Sequence, residues 1–309
     1  MLAPDRIEWD AGGLYDGRFA DGTPFQIQLA YPRPTSVSDH TAEVWNAYWY
    51  PRHFNGERIV LSALDAPAGT IKLVQLKPIA NAVETFTIAL APDRLSGSGN
   101  WTSSTLGTQR SITLHRAFLY REVAVTRPAT STQPAGSRPF RFSALFPVLS
   151  DAVANDWMRT GLRACTDLTE CANSVMVDWH SPALVSLDAT TYGYTAPGAH
   201  GTSTSTMRHF ELRDGKMSPL GLDRFLDLGP SCRRKVSVAI ASKLQVRNLS
   251  KYQEGALHEL GDAKFLALPD GIEFHFDPYD VGSYVEGSPS VFVTRSELGR
   301  CVRNLPRID

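Results

Sequence analysis

Residues 13–31 read GLYDGRFADGTPFQIQLAY, and they decide the class of the first half of the chain. Apolar and polar residues alternate in PFQIQLAY, and the turn-forming run ADGT, residues 20–23, separates it from GLYDGRF. A period of two gives a strand one apolar and one polar face, and a short connection that contains glycine favours a hairpin. The stretch therefore predicts two antiparallel strands.

The same pattern of strand and turn continues to residue 117. It runs through EVWNAYWY, ERIVLSAL, TIKLVQLK, ETFTIAL, RLSGSGNWTS and RSITLHRA. Eight short strands without a convincing helix predict an all-β antiparallel meander that closes into a barrel or folds into a sandwich. A barrel of eight strands holds side chains or one small ligand. Aromatic residues that either fill the core or line such a cavity are Trp45, Tyr48, Trp49, Tyr50 and Trp101.

A linker separates this region from the rest of the chain. Residues 127–139, RPATSTQPAGSRP, contain three prolines and no large apolar residue, as extended linkers do. The predicted domains are therefore residues 1–126 and 140–309. In the second, SDAVANDWMRTGLRAC and SCRRKVSVAIASKLQVRN show helical spacing among strand-like runs. Two main helices and an antiparallel sheet without a βαβ rhythm predict an α+β domain, and the chain as a whole is predicted to be α+β.

The cysteines bear on the compartment. All four, Cys165, Cys171, Cys232 and Cys301, lie in the second half of the chain. An even number in one domain favours disulfides and an oxidising compartment. Three pairings are open; the preferred one joins Cys165 to Cys171 and Cys232 to Cys301, contributing about 2 and about 4 kcal/mol by loop entropy. Zinc is disfavoured because CTDLTEC is too widely spaced and has no second pair.

Composition excludes several partners. The formal net charge is −1, and nucleic-acid binding would need a large positive field. No apolar run approaches the roughly 20 residues that span a bilayer. The start, MLAPDRIEWD, has neither the basic region nor the apolar region of a signal peptide. The protein is therefore either cytoplasmic or a mature exported form with an added methionine. The cysteines favour a periplasmic or secreted location.

No common catalytic signature is present, so no cofactor, metal or catalytic residue is assigned. The sequence has no G-x-S-x-G elbow and no glycine-rich phosphate loop, and HELGD at His258 lacks the second histidine of a zinc motif. Glycosidases need two carboxylates flanking a sugar. Acids within a short span that could serve are Asp277, Asp280 and Glu286, which leaves a glycan hydrolase as an alternative.

Two stretches contain candidate binding residues. His200 lies in APGAHG between two glycines, which permit a backbone that aims the imidazole. Its role is either a structural hydrogen bond or recognition. In FDPYDVGSYVEG, residues 276–287, a proline ends a strand after Asp277. Tyr279 and Tyr284 then offer rings with polar tips, which suit packing over the sheet end or gripping a partner.

These stretches also resemble a known family. Residues 192–217, YGYTAPGAHGTSTSTMRHFELRDGKM, and 268–298, LPDGIEFHFDPYDVGSYVEGSPSVFVTRSEL, resemble two signatures of an extracytoplasmic bacterial domain of unknown function. The family includes the lysozyme-sensing part of RsiV-type anti-sigma factors and a domain of certain peptidoglycan deacetylases. The resemblance covers residues 140–298. Pro197 replaces a usual glycine, and the cysteines are outside the pattern. More weakly, the first strands resemble a β-domain that precedes this module in some proteobacterial proteins.

The resemblance implies an envelope location and a non-enzymatic binding role. The sequence therefore predicts a periplasmic, non-catalytic binding protein of two domains. Its expected partner is a peptidoglycan-related glycan or a wall-directed protein such as lysozyme. The alternatives are the glycan hydrolase and a carrier of a small apolar ligand in the first domain.

Overall fold

The computed structural model describes residues 5–31, 61–64, 70–75, 84–104, 106–127, 140–149, 170–195, 200–214, 216–246, 263–277, 280–283 and 288–306. The chain divides into two compact units, residues 8–122 and residues 1–7 together with 123–309. Strands predominate in the described residues and helices are few, so the class is mostly β, which the predicted α+β fits only loosely.

Seven strands belong to the first unit, and two of them continue past its limits. They are β1 (Asp5–Phe19), β2 (Pro24–Ala30), β3 (Leu61–Leu64), β4 (Thr70–Gln75), β5 (Glu84–Leu90), β6 (Ser96–Ser103) and β7 (Thr108–Arg127). Their order is β2-β1-β7-β6-β5-β4-β3. The predicted hairpin of residues 13–31 is confirmed, with Tyr15 opposite Ile27 in antiparallel register.

The described strands do not close into a barrel, so the barrel alternative is wrong for this part of the chain. The physical reason is that β2 and β3 stand at opposite ends of the strand order, each with one partner strand. The strands are also not uniformly short, since β1 has 15 residues and β7 has 20. The predicted strand EVWNAYWY, which contains Trp45 and Trp49, lies outside the described residues.

The core of this unit is aromatic and aliphatic. Its buried members include Tyr15, Phe19, Phe25, Ile27, Leu29, Leu61, Leu73, Phe86, Ile88, Trp101, Ile112 and Leu114. Trp101 is 4% exposed and packs edge-on against Phe19, with 5.5 Å between ring centroids. Of the two roles that the sequence left open for Trp101, the structure shows the first, because its ring fills the core.

The second unit contains five strands of a larger sheet. They are β8 (Phe140–Pro147), β9 (Glu170–Ser181), β10 (Leu184–Tyr194), β11 (Thr202–Arg213) and β12 (Lys216–Leu220), in the order of the chain. The pairs from β9 to β12 are antiparallel, but β8 and β9 are parallel. That pair departs from the predicted antiparallel sheet. The predicted helix of residues 150–165 lies outside the described residues.

The described part of the second unit also contains a smaller sheet and two helices. The sheet is β13 (Lys264–Leu268), β14 (Gly271–His275) and β15 (Ser290–Thr294). The helices are α1 (Pro230–Val246) and α2 (Arg295–Leu298), with 3-10 turns at Leu222–Arg224 and Gly299–Cys301. Helix α1 buries residues four apart, which are Cys232, Val236, Ile240 and Leu244. This spacing places them on one side of the helix.

Cys232 and Cys301 form a disulfide that joins the first turn of α1 to the last 3-10 turn, with 5.5 Å between the Cα atoms. This is the long-range pair preferred from the sequence. Cys171 is also disulfide-bonded, but its predicted partner, Cys165, lies outside the described residues. Across the described ranges, no helix is long and apolar enough to cross a membrane.

Candidate functional site

The two family-like stretches meet in the structure. Asp277 follows β14, and its Oδ1 accepts a hydrogen bond of 3.3 Å from the backbone N–H of Ser205 in β11. The residues are 72 positions apart in the chain. The end of the β10–β11 hairpin and the corner after β14 therefore form one region of the second unit.

The hairpin has an apolar end and a polar end. In β10, Leu184–Leu187 are buried, whereas residues 188–194, DATTYGY, are half-buried. In β11, Thr202, Thr204 and Thr206 are exposed, while Ser203 and Ser205 are half-buried. Apolar side chains bury the first end, and hydroxyl groups keep the second in contact with water.

Side chains point alternately to the two sides of each strand, so this polar end of the hairpin has two faces. Tyr192 lies opposite Ser203, and Thr190 lies opposite Ser205. We call Thr190, Tyr192, Tyr194, Ser203 and Ser205 the tyrosine face, because residues directly opposite in a sheet share a face. The other side carries Thr191, Thr202, Thr204 and Thr206, which we call the threonine face.

Gly201 shapes the start of the tyrosine face. A Cβ atom at Gly201 would lie 2.4 Å from the ring of Tyr192, which is closer than such atoms approach one another. The glycine therefore lets the Tyr192 ring lie against the backbone. His200 beside it is exposed, and its Nδ1 lies 3.0 Å from the carbonyl oxygen of Gly201. The predicted residue His200 is thus at this end of the hairpin, while Gly198 is outside the described residues.

Both the carboxylate and the backbone of Asp277 make structural contacts. Its carboxylate forms an ion pair with the Nζ of Lys264, in addition to the bond from Ser205. Its backbone N–H donates 2.8 Å to Oδ2 of Asp280, and the N–H of Asp280 donates 3.1 Å to the Asp277 carbonyl. Asp277 therefore fixes a corner of the chain next to β11. Candidates at or near this corner that lie outside the described residues are Tyr279, Tyr284 and Glu286.

A buried histidine was missed from the sequence. Nδ1 of His209 in β11 lies 2.8 Å from Oγ of Ser186 in β10, and Nε2 lies 2.8 Å from the carbonyl oxygen of Phe265 in β13. The imidazole also stacks on the Phe265 ring, with 4.3 Å between centroids. The sequence contained one signal of this burial. In MRHFEL, His209 lies two residues after Met207, and this alternation places it on the inward-facing side of the strand.

His209 connects the two sheets of the second unit through its hydrogen bonds. Burial lowers the pKa of His209 to about 4, so the ring is neutral near pH 7. The Nε2–H then donates to Phe265, and the Ser186 hydroxyl donates to Nδ1. A serine paired with a histidine is also the arrangement of a nucleophile and its base. Here Ser186 is 0% and His209 is 2% exposed, so the pair is enclosed by the core.

Metal ligands are not grouped in the described ranges. Within them, no set of three or more histidine, cysteine, aspartate or glutamate side chains is placed to hold an ion. The arrangement around the hairpin instead offers hydroxyl groups, two tyrosine rings and an ion pair. Such a surface is suited to hydrogen bonding and ring packing.

Part of this unit is similar to a known family. A family described as "Protein of unknown function (DUF3298)" matches residues 234–296. The matched residues run from within α1 into α2 and include the corner at Asp277. A comparison with functionally curated proteins found no match.

Two solved structures of DUF3298 family members are similar to the chain. One, from Bacteroides fragilis, has 14% identity and a TM-score of 0.43, and the match covers 62% of this chain and 95% of that chain. The other, from Pseudomonas aeruginosa, has 16% identity and a TM-score of 0.38, with 58% and 91% covered. The resemblance to RsiV-type proteins stays a prediction.

Proposed function

We propose that this protein is a non-catalytic binding protein of the cell envelope and that the tyrosine face recognises a peptidoglycan-related glycan. The observation that carries the proposal is the hydrogen bond between Asp277 and Ser205. It joins the two family-like stretches at a polar, half-exposed end of the β10–β11 hairpin.

The chemistry of the tyrosine face supports this ligand. A glycan presents hydroxyl groups along its edges and C–H groups on its ring faces. Ser203 and Ser205 supply hydroxyls, and the rings of Tyr192 and Tyr194 supply apolar surface with a polar tip. The neighbouring carboxylate of Asp277 is held by Lys264, which favours a positioning role over that of a proton donor.

The disulfides support an envelope location. Cys232 pairs with Cys301, and Cys171 is disulfide-bonded as well. Disulfides persist in oxidising compartments such as the bacterial periplasm. A periplasmic or secreted protein meets both peptidoglycan fragments and wall-directed enzymes, so lysozyme is the second partner to test.

Co-sedimentation with purified peptidoglycan tests the proposal. The wild-type protein is expected to pellet with the sacculi, and the double variant Tyr194→Ala/Ser203→Ala is expected to lose most of this binding. The matched control is Thr204→Ala/Thr206→Ala on the threonine face, which changes two exposed side chains of the same strand and is expected to bind as the wild type does. Equal binding by both double variants would contradict the assignment of the face.

Two further measurements separate the partners and the alternative activity. Immobilised lysozyme replaces the sacculi in a parallel experiment; retention there, with none on sacculi, would redirect the proposal from the glycan to the wall-directed protein. Reducing ends released from the sacculi report hydrolysis. Release that disappears in Asp277→Asn would establish the glycan hydrolase instead.

A further inference from the structure

A row of polar side chains lies in the first unit, apart from the tyrosine face. Glu84 in β5 is opposite Ser103 in β6. The pairing of β4 with β5 runs in step to Val74 opposite Thr85, which places Gln75 beside Glu84. These residues occupy three consecutive strands about 4.8 Å apart. We call Gln75, Glu84 and Ser103 the polar row.

The polar row points into the core. Leu73 precedes Gln75 by two residues, Trp101 precedes Ser103 by two, and Phe86 follows Glu84 by two; all three are core residues. Residues two apart in a strand share a face. Gln75 is 7% exposed, Glu84 6% and Ser103 3%. The row therefore forms a buried polar edge of an aromatic core.

The polar row holds one buried oxygen without a hydrogen bond, Oε1 of Gln75, beside two side chains that each accept one. Oε2 of Glu84 accepts 3.0 Å from the indole N–H of Trp101, and Oγ of Ser103 accepts 3.4 Å from the N–H of Leu106. Oε1 of Gln75 is buried and accepts no hydrogen bond. In the described ranges, no lysine or arginine forms an ion pair with Glu84.

Such an arrangement is costly unless a donor reaches it. A buried acceptor without a partner retains its desolvation penalty, and a buried carboxylate without a counter-charge retains a larger one. Burial also raises the pKa of Glu84, against the hydrogen bond from Trp101. Oxygens that could accept further hydrogen bonds are those of Gln75, Glu84 and Ser103.

We propose that the polar row is a binding site for the primary ammonium group of a small amine. An ammonium group has three N–H donors and no acceptor, which matches three neighbouring acceptor oxygens. Its positive charge also compensates the carboxylate of Glu84. The inference concerns the first unit and is independent of the function proposed for the tyrosine face.

The indole N–H of Trp101 is a direct reporter of this site, because it donates to the carboxylate of Glu84. The full-length protein, labelled with 15N-tryptophan, is titrated with ethylammonium chloride, and the Trp101 signal is assigned from a Trp101→Phe variant. A three-atom amine is expected to bind no tighter than about 1 mM, so the titration extends to roughly 100 mM at constant ionic strength. A saturable shift of the Trp101 signal is expected.

Three comparisons make the test specific. Tetramethylammonium has the charge but no N–H donor and is expected to shift the signal much less. Glu84→Gln is expected to weaken ethylammonium binding by at least about tenfold, since it removes a charged hydrogen bond. Glu170→Gln, at an exposed position of β9, is the matched control and is expected to bind as the wild type does.

The opposite results would overturn the proposal. An unchanged Trp101 signal in the wild type would mean that no amine binds and that the proton of Glu84 satisfies the row. Equal shifts with tetramethylammonium would show a salt effect. If Glu84→Gln does not fold, Gln75→Leu replaces it, and undiminished binding by that variant would also reject the site.

Discussion

At the scale of single residues, His209 shows how a polar side chain becomes a core residue. Both of its ring nitrogens have partners, Ser186 and the carbonyl of Phe265, at 2.8 Å. A buried polar group of this kind stabilises the fold when both hydrogen bonds form and destabilises it when one is lost. The contacts place β10, β11 and β13 in one fixed arrangement.

The buried state of His209 predicts a dependence of stability on pH. The pKa of His209 falls from 6.5 to about 4 on folding, so the unfolded chain binds the proton more readily. The contribution of His209 is fully present above about pH 6.5 and is lost as the pH falls towards 4, to a maximum of about 3 kcal/mol. Denaturant unfolding at pH 7.5, 5.5 and 4.5 measures this loss.

His209→Asn is the comparison, because its amide can replace one hydrogen bond but does not titrate in this range. We expect the variant to be less stable at pH 7.5 and to lose less stability on acidification than the wild type. The same loss between pH 7.5 and 4.5 in both proteins would show that another group is responsible.

Asp277 gives a second prediction at this scale. Asp277→Asn removes the charge that pairs with Lys264, and the two side chains are 21% and 27% exposed. We expect the free energy of unfolding to fall by about 1–2 kcal/mol, less than for a fully buried pair. Asp270→Asn, at an exposed turn position, is the control and is expected to change stability little. Thermal unfolding of the three proteins decides; a change no larger than that of the control would argue against a positioning role.

At the scale of elements, hydrogen bonds at the first turn hold the four-residue helix α2 in place. Oγ1 of Thr294 accepts 3.2 Å from the N–H of Glu297, and Oε2 of Glu297 accepts 2.7 Å from the N–H of Thr294. This is a capping box. Nζ of Lys243 in α1 reaches both Glu297, at 2.9 Å, and the carbonyl of Phe292 in β15, at 2.8 Å. The cap therefore also connects α1 to the small sheet.

Thr294→Ala is expected to lower the free energy of unfolding by about 1 kcal/mol, because the N–H of Glu297 loses its acceptor. Glu297→Gln keeps the capping box, since glutamine serves in it, but loses the charge pair with Lys243. That pair is more than one third exposed, so the loss is expected to be smaller. Denaturant midpoints compare the two; a greater effect of Glu297→Gln would mean that the ion pair outweighs the cap.

At the scale of the whole molecule, the disulfide between Cys232 and Cys301 closes a segment with a sequence separation of 69 residues. This segment includes α1 from Cys232 onward and the whole of the small sheet. A crosslink over such a length reduces the entropy of the unfolded chain far more than that of the folded chain. It is therefore expected to stabilise the second unit and not the first.

Cys232→Ser/Cys301→Ser is expected to destabilise the second unit by about 4 kcal/mol. Limited proteolysis during denaturant unfolding separates the two units, because fragments from residues 8–122 and from the remainder are distinguished by mass. Loss of protection confined to the second unit is the expected result. An equal loss in both units would show that their unfolding is coupled.

In the unreduced wild type, a thiol count under denaturing conditions is expected to be zero.

The alternation in strands such as β2 and β5 was predictable because its signal is local. In β2 and β5 a residue's neighbours two positions away establish which face it occupies, and turns at residues 20–23 and 92–95 separate the runs. The extension of β7 to Arg127 and the parallel pairing of β8 with β9 were not predictable in this way. Both depend on which strand lies alongside, and that is a contact between distant parts of the chain.

The sequence by itself determined the alternating strands, the helical spacing of α1 and the two stretches that resemble one family, and it left three cysteine pairings open until the structure joined Cys232 to Cys301. Only the tertiary structure decided that Asp277 reaches Ser205, that His209 bridges two sheets, and that Gln75, Glu84 and Ser103 lie in one buried row. The physical reason is that periodicity is set by backbone geometry within a few residues. A site is instead set by side chains brought together across tens of residues, and its energy depends on the partners and burial that they find there.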